Sequence, residues 1–306
     1  MNYPQFISAM ETRVKQCVNE DVTVYQHTSI KNNGKERKGL TVVETGINIS
    51  PTIYLEEYYE QFLMGKSLEQ IVKKVMELYK EVKFEHSWKE NTIKIFNHIK
   101  HMIVYKVINY EKNEKMLENT PHTRYLDLAV VFYVLLEINK NGTATLLIKE
   151  EHLELWGVTK EDVEKEAKNN SHKLLPAEFK TMISVITELL SNEEISRDTL
   201  LQDTSLQDTS LEEDTMYVLS NNQRNYGAVS ILYEGLLKDI GEHLQENFYV
   251  LPSSVHEVII VPESNSPGRE ELEHMIVEIN ETQVEPEEVL SDRAYYYSRK
   301  EERLLY

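Results

Sequence analysis

Apolar residues recur every three or four positions at the start of the chain. Phe6, Ile7, Met10, Val14 and Cys17 fall on one stripe, which predicts an amphipathic helix over residues 4–18. Cys17 on that stripe is expected to be a buried core thiol rather than a nucleophile. Val22–Ile30 and Gly39–Glu44 flank Asn33-Gly34, a tight-turn dipeptide, and predict a hairpin. Ser50 and Pro51 have the character of an N-cap and a first helical residue, with Glu56 and Glu57 near the positive end. The helix they predict carries Tyr54, Tyr58 and Phe62 on one face and stops at Gly65. Ser67 opens another, with Leu68, Ile71, Val75 and Leu78 inward.

Further along, Trp88–His101 is predicted helical and Met102–Ile108 a strand. Leu126–Ile138 is a long apolar run that turns at Lys140-Asn141-Gly142 into Thr143–Lys149, a second hairpin. Glu150–Trp156 is a short helix closed by Gly157. Thr159 caps the next, and Pro176 starts one running to about Leu190. A strand at Met216–Leu219, a helix at Ser230–Leu244 and two strands within Phe248–Pro262, joined at Pro252-Ser253-Ser254, follow. The chain then offers a charged helix at Arg269–Asn280, a short one at Pro286–Leu290 and an edge strand at Ala294–Tyr297. Helices and hairpins alternate without a sustained βαβ rhythm. The expected class is therefore α+β, with antiparallel hairpins and a mixed sheet packed against amphipathic helices.

Between these elements lies "DTLLQDTSLQDTSLEEDT", residues 198–215, in which three five-residue units repeat almost unchanged. A period of five matches neither strand nor helix. The units resemble those of pentapeptide-repeat solenoids, but three would not complete one coil. Residues 193–214 hold eight acids and one base, Arg197. The expectation is a solvated, duplicated loop.

Composition narrows the class. The 306 residues are 41% hydrophobic and 28% charged, an ordinary globular balance. Apolar runs such as Ala129–Leu136 fall short of the ~20 residues a membrane helix needs, and no secretory signal is visible, so the expected location is cytoplasmic with no membrane partner. Net charge is −19. Residues 1–120 hold 17 basic and 16 acidic residues, and residues 121–306 hold 16 and 36. That shift suggests an N-terminal region 1–120 and an acidic region 121–306 interrupted at 193–214, within what is equally readable as one continuous domain. An acidic surface repels phosphate backbones, so no nucleic-acid partner is expected, while a protein partner through the acidic region is.

Candidate chemistry is sparse. There is no phosphate-binding loop, dinucleotide fingerprint, nucleophile elbow or zincin helix, and no cofactor is expected. His98 and His101 are spaced to share a helix face, as metal ligation requires, yet no third ligand is identifiable. Ser253, Ser254 and His256 in "LPSSVHE" place hydroxyls and an imidazole near one sheet edge, with Glu257 next in sequence and no acidic partner identifiable. A Ser/His pair is conceivable there, although turn serines bonding their own backbone account for the same residues. Period-2 geometry would send His256 and Glu257 to opposite faces. Arg224, Asn225, Tyr226 and Gly227 form a polar turn in which Arg224 suits an anion and Gly227 a close backbone approach. Tyrosine is abundant, and the edge strand at Tyr295-Tyr296-Tyr297 suits a partner.

The stretches "NISPTIYLEEYYEQ", "LDLAVVFYVLL", "NYGAVSILYEG" and "LPSSVHEVIIVPES" together resemble a domain-of-unknown-function family of Gram-positive, clostridial-type gut bacteria. The resemblance spans about residues 1–298 and excludes the five-residue repeat. It implies a bacterial cytoplasmic protein and carries no activity, cofactor or catalytic residue. The leading expectation is a non-enzymatic binding or adaptor protein. The alternative is a hydrolase or nucleotide-handling enzyme using Arg224 and Ser253–His256.

Overall fold

A computed structural model describes residues 1–46, 50–83, 90–139, 142–192 and 216–306. The repeat, the Lys140-Asn141 turn and the start of the helix expected at Trp88 lie outside them. Helix α1 (Tyr3–Cys17) begins with a capping box between Asn2 and Gln5 and buries Phe6, Ile7, Met10 and Val14. Cys17 is exposed, contrary to its place on the predicted stripe, because it closes the last turn beyond the core contacts. Strands β1 (Val22–Ile30), β2 (Glu36–Glu44) and β3 (Thr52–Tyr54) form an antiparallel sheet in that order.

Strand β3 corrects the helix start expected at Ser50-Pro51. Its β-branched and aromatic residues pair with β2, Ile53 opposite Leu40, and helix α2 (Glu56–Leu63) starts only at Glu56. Gly39 permits this pairing, since a Cβ there would lie 2.4 Å from the Ile53 carbonyl oxygen. Helix α3 (Leu68–Val82) has its predicted cap, a box between Ser67 and Gln70, and buries Ile71, Val72, Val75 and Tyr79. These elements enclose one core cluster drawn from residues 6–79.

The predicted helix to His101 is broken. Short helices α4 (Glu90–Lys94) and α5 (Phe96–Ile99) are separated at Ile95, whose φ of −118° and ψ of 113° are extended. Strand β4 (Ile103–Asn109) leads to a short helix α6 (Glu114–Leu117), then β5 (His122–Tyr125), β6 (Leu128–Asn139) and β7 (Gly142–Leu147). β6 pairs with β4 along one edge and with β5 and β7 in succession along the other. The charge shift near residue 120 thus falls between two strands of a single sheet. Helices α7 (Glu150–Trp156) and α8 (Lys160–Leu174) follow. α8 is anchored by Ser171, whose Oγ accepts the Tyr105 N–H at 3.2 Å.

The third sheet has six antiparallel strands in the order β13-β12-β10-β11-β9-β8. They are β8 (Ala177–Thr181), β9 (Tyr217–Asn221), β10 (Phe248–Leu251), β11 (Val258–Pro262), β12 (Tyr295–Ser298) and β13 (Arg303–Leu305). β8 replaces the first turn and a half of the helix expected from Pro176, and helix α9 (Met182–Asn192) begins where β8 ends. The helix expected from Ser230 divides at Gly235, which is left-handed at φ 79°. A 3-10 segment precedes it and α10 (Leu236–Leu244) follows. Residues 286–288 form a turn rather than a helix, with Val289 bridged to Ser254. The Tyr295–Tyr297 strand is interior, flanked by β10 and the unforeseen β13, and Tyr295 and Tyr297 are buried. It offers no free edge to a partner.

The fold is α+β, and every ladder among the described residues is antiparallel. The second and third sheets share one large core, whose buried members include Phe132 and Val134 from the second and Phe248, Val258 and Tyr297 from the third. Helix α11 (Arg269–Thr282) covers the far face of the third sheet through Leu272 and Ile276, against Leu251 and Val261. No helix among the described residues is long and apolar enough to cross a membrane.

A candidate ligand groove at the Asn221–Gly227 loop

The loop after β9 is held by Asn221, which is fully buried. Its Oδ1 accepts the N–H groups of Gln223 at 3.0 Å and Asn225 at 3.4 Å, and its Nδ2 donates to the Asn225 carbonyl at 2.9 Å. Inside this clamp Arg224 and Tyr226 both take left-handed φ values, 48° and 53°, a costly conformation for side chains with a Cβ. Asn225 reaches Thr143 on β7 through its Nδ2, at 2.9 Å. Gly227 closes the loop where no side chain fits. A Cβ there would stand 2.2 Å from Ser220 Oγ, 2.5 Å from Asn221 N and 2.6 Å from the His256 carbonyl oxygen. The sequence signal for a close backbone approach at Gly227 thus has a physical cause.

The strained residues point to two sides. Arg224 faces a groove of about 560 Å³ whose polar end is formed by Ser220, Ser253, Ser254, Glu257, Glu178 and Lys180. Helix α9 supplies Met182, Val185, Ile186 and Leu189, an i, i+3, i+4, i+7 stripe, along one wall. Ile279 and Val284, at the end of α11 and just beyond, form the other. Arg224 and Lys180 both pair with Glu188, Lys180 at 3.0 Å, and Lys180 also meets Glu178 at 3.1 Å. The Lys180 hydrogen bond, aided by Arg224, holds the Glu188 carboxyl below its ordinary range. No ion pair or hydrogen bond engages the Glu257 carboxylate among the described residues.

On the other side, Tyr226 stacks on His256 with ring centroids 5.5 Å apart, and Lys106 Nζ sits 4.3 Å above the Tyr226 ring. Burial pushes the Lys106 ammonium down from 10.5 to about 8, with the Lys31 charge adding to it. The His256 imidazole is occupied at both nitrogens. Nδ1 accepts the Tyr226 N–H at 3.3 Å, which leaves the proton on Nε2, 3.2 Å from Glu288 Oε1. Ser254 Oγ accepts the His256 backbone N–H at 3.0 Å and Ser220 Oγ donates to the His256 carbonyl at 2.8 Å, so both hydroxyls are bonded to the backbone and not to the ring. The Ser/His pair conceivable from sequence is therefore not assembled. His256 and Glu257 do diverge, one toward Tyr226 and the other into the groove, although they precede β11 rather than lie within it.

Sequence reasoning picked out Arg224, Ser253, Ser254 and Glu257, and the structure brings these four to one groove. Asn225, Tyr226 and His256 brace the loop instead. Glu288, Glu188, Lys180 and the α9 stripe were missed as site residues. His98 and His101 are exposed on α5 and the turn after it. Among the described residues no group of three or more His, Cys, Asp or Glu side chains is arranged to hold a metal.

A family model described as a family of unknown function, DUF5688, matches residues 3–299. The chain belongs to that family. The expectation of a domain-of-unknown-function family therefore holds over nearly the whole chain, and the match brings no activity with it. No curated protein and no solved structure matches the chain.

Proposed function

We propose that this DUF5688 member is a binding protein whose groove between α9 and α11 takes a segment of a partner protein in which a lysine or arginine is flanked by large apolar residues. One observation carries the reading. An apolar-walled concavity ends at a carboxylate, Glu257, that no ion pair or hydrogen bond engages among the described residues. The walls are open to solvent, with Ile186 47%, Leu189 53% and Ile279 40% exposed, and a helix face of this kind serves as a docking wall. Along the lining Glu178 and Glu257 balance Lys180 and Arg224, but Glu188 already pairs with both cations, and residues 121–306 carry 36 acids against 16 bases, so charge favours a basic ligand. Peptide display on the full chain tests this. Enriched sequences should combine a basic residue with apolar neighbours and lose binding to the Ile186→Asp variant. Acidic or wholly polar winners, or affinity unchanged by Ile186→Asp, would overturn the proposal.

A further inference from the structure

A second concavity, of about 540 Å³, lies where the β5–β6 turn meets the segment before β12. Ligand pockets usually carry mainly apolar linings. This one is lined by Asn109, Glu111, Lys112, Arg124, Asp127, Asp292 and Arg293, closed by Tyr306. Its three cations and three anions balance.

The charges are kept apart. The Arg124 guanidinium lies 4.5 Å over the Tyr110 ring, and that of Arg293 lies 5.2 Å over the Tyr306 ring. Neither has a carboxylate within ion-pair distance among the described residues. Stacking fixes both guanidinium planes while leaving most of their N–H donors free. Asp127 is held by neutral donors, its Oδ2 accepting from Ser291 Oγ at 2.7 Å and its Oδ1 from the Tyr295 hydroxyl. Asp292 Oδ1 likewise accepts from Asn280 Nδ2 at 2.7 Å, and its one ion pair among the described residues is with Lys112, at a loose 3.8 Å. Leu126, with a left-handed φ of 55°, shapes the turn that delivers Asp127 to the cavity. Arg124, Arg293 and Asp127 thus share one cavity, each oriented by neutral groups rather than by a counter-charge, while Asp292 beside them has the loose Lys112 pair.

We infer that this cavity binds a small zwitterion of the α-amino-acid class, free or as a short dipeptide. The carboxylate bridges Arg124 and Arg293, and the ammonium group lies between Asp127 and Asp292. A polyanion such as a nucleotide fits less well. It would meet Glu111, Asp127 and Asp292 inside a region whose acids outnumber its bases by 36 to 16, whereas a zwitterion brings no net charge. The ligand's carboxylate supplies the counter-charge that Arg124 and Arg293 lack among the described residues, its ammonium the one that Asp127 lacks, and bidentate arginine contacts favour a planar carboxylate.

The test is calorimetric titration of the full chain with the twenty common amino acids, a set of glycyl dipeptides, and inorganic phosphate. At least one zwitterion should bind with Kd near or below about 1 mM, and its N-acetyl and amide forms should each bind about tenfold more weakly or worse. Arg124→Gln and Arg293→Gln should each weaken binding by about tenfold while leaving the ligand-free melting temperature nearly unchanged, because both side chains are exposed. Asp127→Asn, which keeps one acceptor oxygen and turns the other into an N–H2 donor that the Ser291 or Tyr295 hydroxyl must rotate to accept, should lose the preference for a free ammonium group. The inference is overturned if no zwitterion in the panel binds, if the blocked forms bind as well as the free ones, or if phosphate alone binds.

Discussion

Lys106 offers a quantitative test of how the Asn221–Gly227 loop is supported. Its ammonium lies over the Tyr226 ring, 5.9 Å from the centroid of Tyr133, and no carboxylate pairs with it among the described residues. Burial lowers its titration from 10.5 to about 8, which at 1.36 kcal/mol per decade costs about 3 kcal/mol for the charged form. The Tyr226 face returns ~0.5–2 kcal/mol of cation–π attraction. Lys106→Met keeps the length of the side chain and removes the charge. The variant should therefore be more stable than the parent by about 1–3 kcal/mol near neutral pH. The pH dependence has a fixed sign. Between about 8 and 10.5 the folded parent binds fewer protons than the unfolded chain, so its stability rises with pH across that window. The variant lacks this contribution, and its advantage should shrink toward zero as pH approaches about 10. Urea denaturation of both proteins across this range measures the difference. A parent more stable than the variant near neutral pH, or a gap that does not change with pH, would refute the reasoning.

The other predictions concern the same loop. Gly227→Ala must push a methyl group against Ser220, Asn221 and the His256 carbonyl, and thermal unfolding should show a loss of about 1–3 kcal/mol. Asn221→Ala leaves the Gln223 and Asn225 amides without their buried acceptor, and denaturation should report a loss of about 1–3 kcal/mol. His256→Ala frees the Tyr226 amide and Glu288. It should cost about 1–2 kcal/mol in the same assay, and nitrogen NMR of the parent should show the His256 proton on Nε2.

Local chemistry made much of the fold legible. The caps at Ser67 and Thr159, the helix stop at Gly157 and the antiparallel pairing of β10 with β11 all follow from short sequence signals. Errors arose where a ladder overrode a local signal. Pro176 looks like a helix start, yet Ala177–Thr181 gain five cross-strand partners on β9, and the helix waits until Met182. Ser50-Pro51 misled in the same way, because β2 recruits Thr52–Tyr54 through the gap left at Gly39.

The site was half legible. Glycine, serine and charged residues in polar turns marked Arg224, Gly227, Ser253 and Glu257. The sequence carries no local trace of Glu288, which approaches His256 because residues 252–255 are laced by backbone hydrogen bonds to residues 288–291. The α9 stripe is visible as a period, but only the structure shows that its residues face a groove rather than the core.

The pairing of Glu257 with a basic ligand residue is the central claim, and a charge swap tests it most directly. A display-selected peptide is titrated into the parent and into Glu257→Lys, then its basic residue is changed to glutamate and both titrations are repeated. Glu257→Lys should weaken the original peptide by about tenfold or more, and the glutamate peptide should regain affinity for the variant alone. Equal affinities in all four combinations would contradict the account.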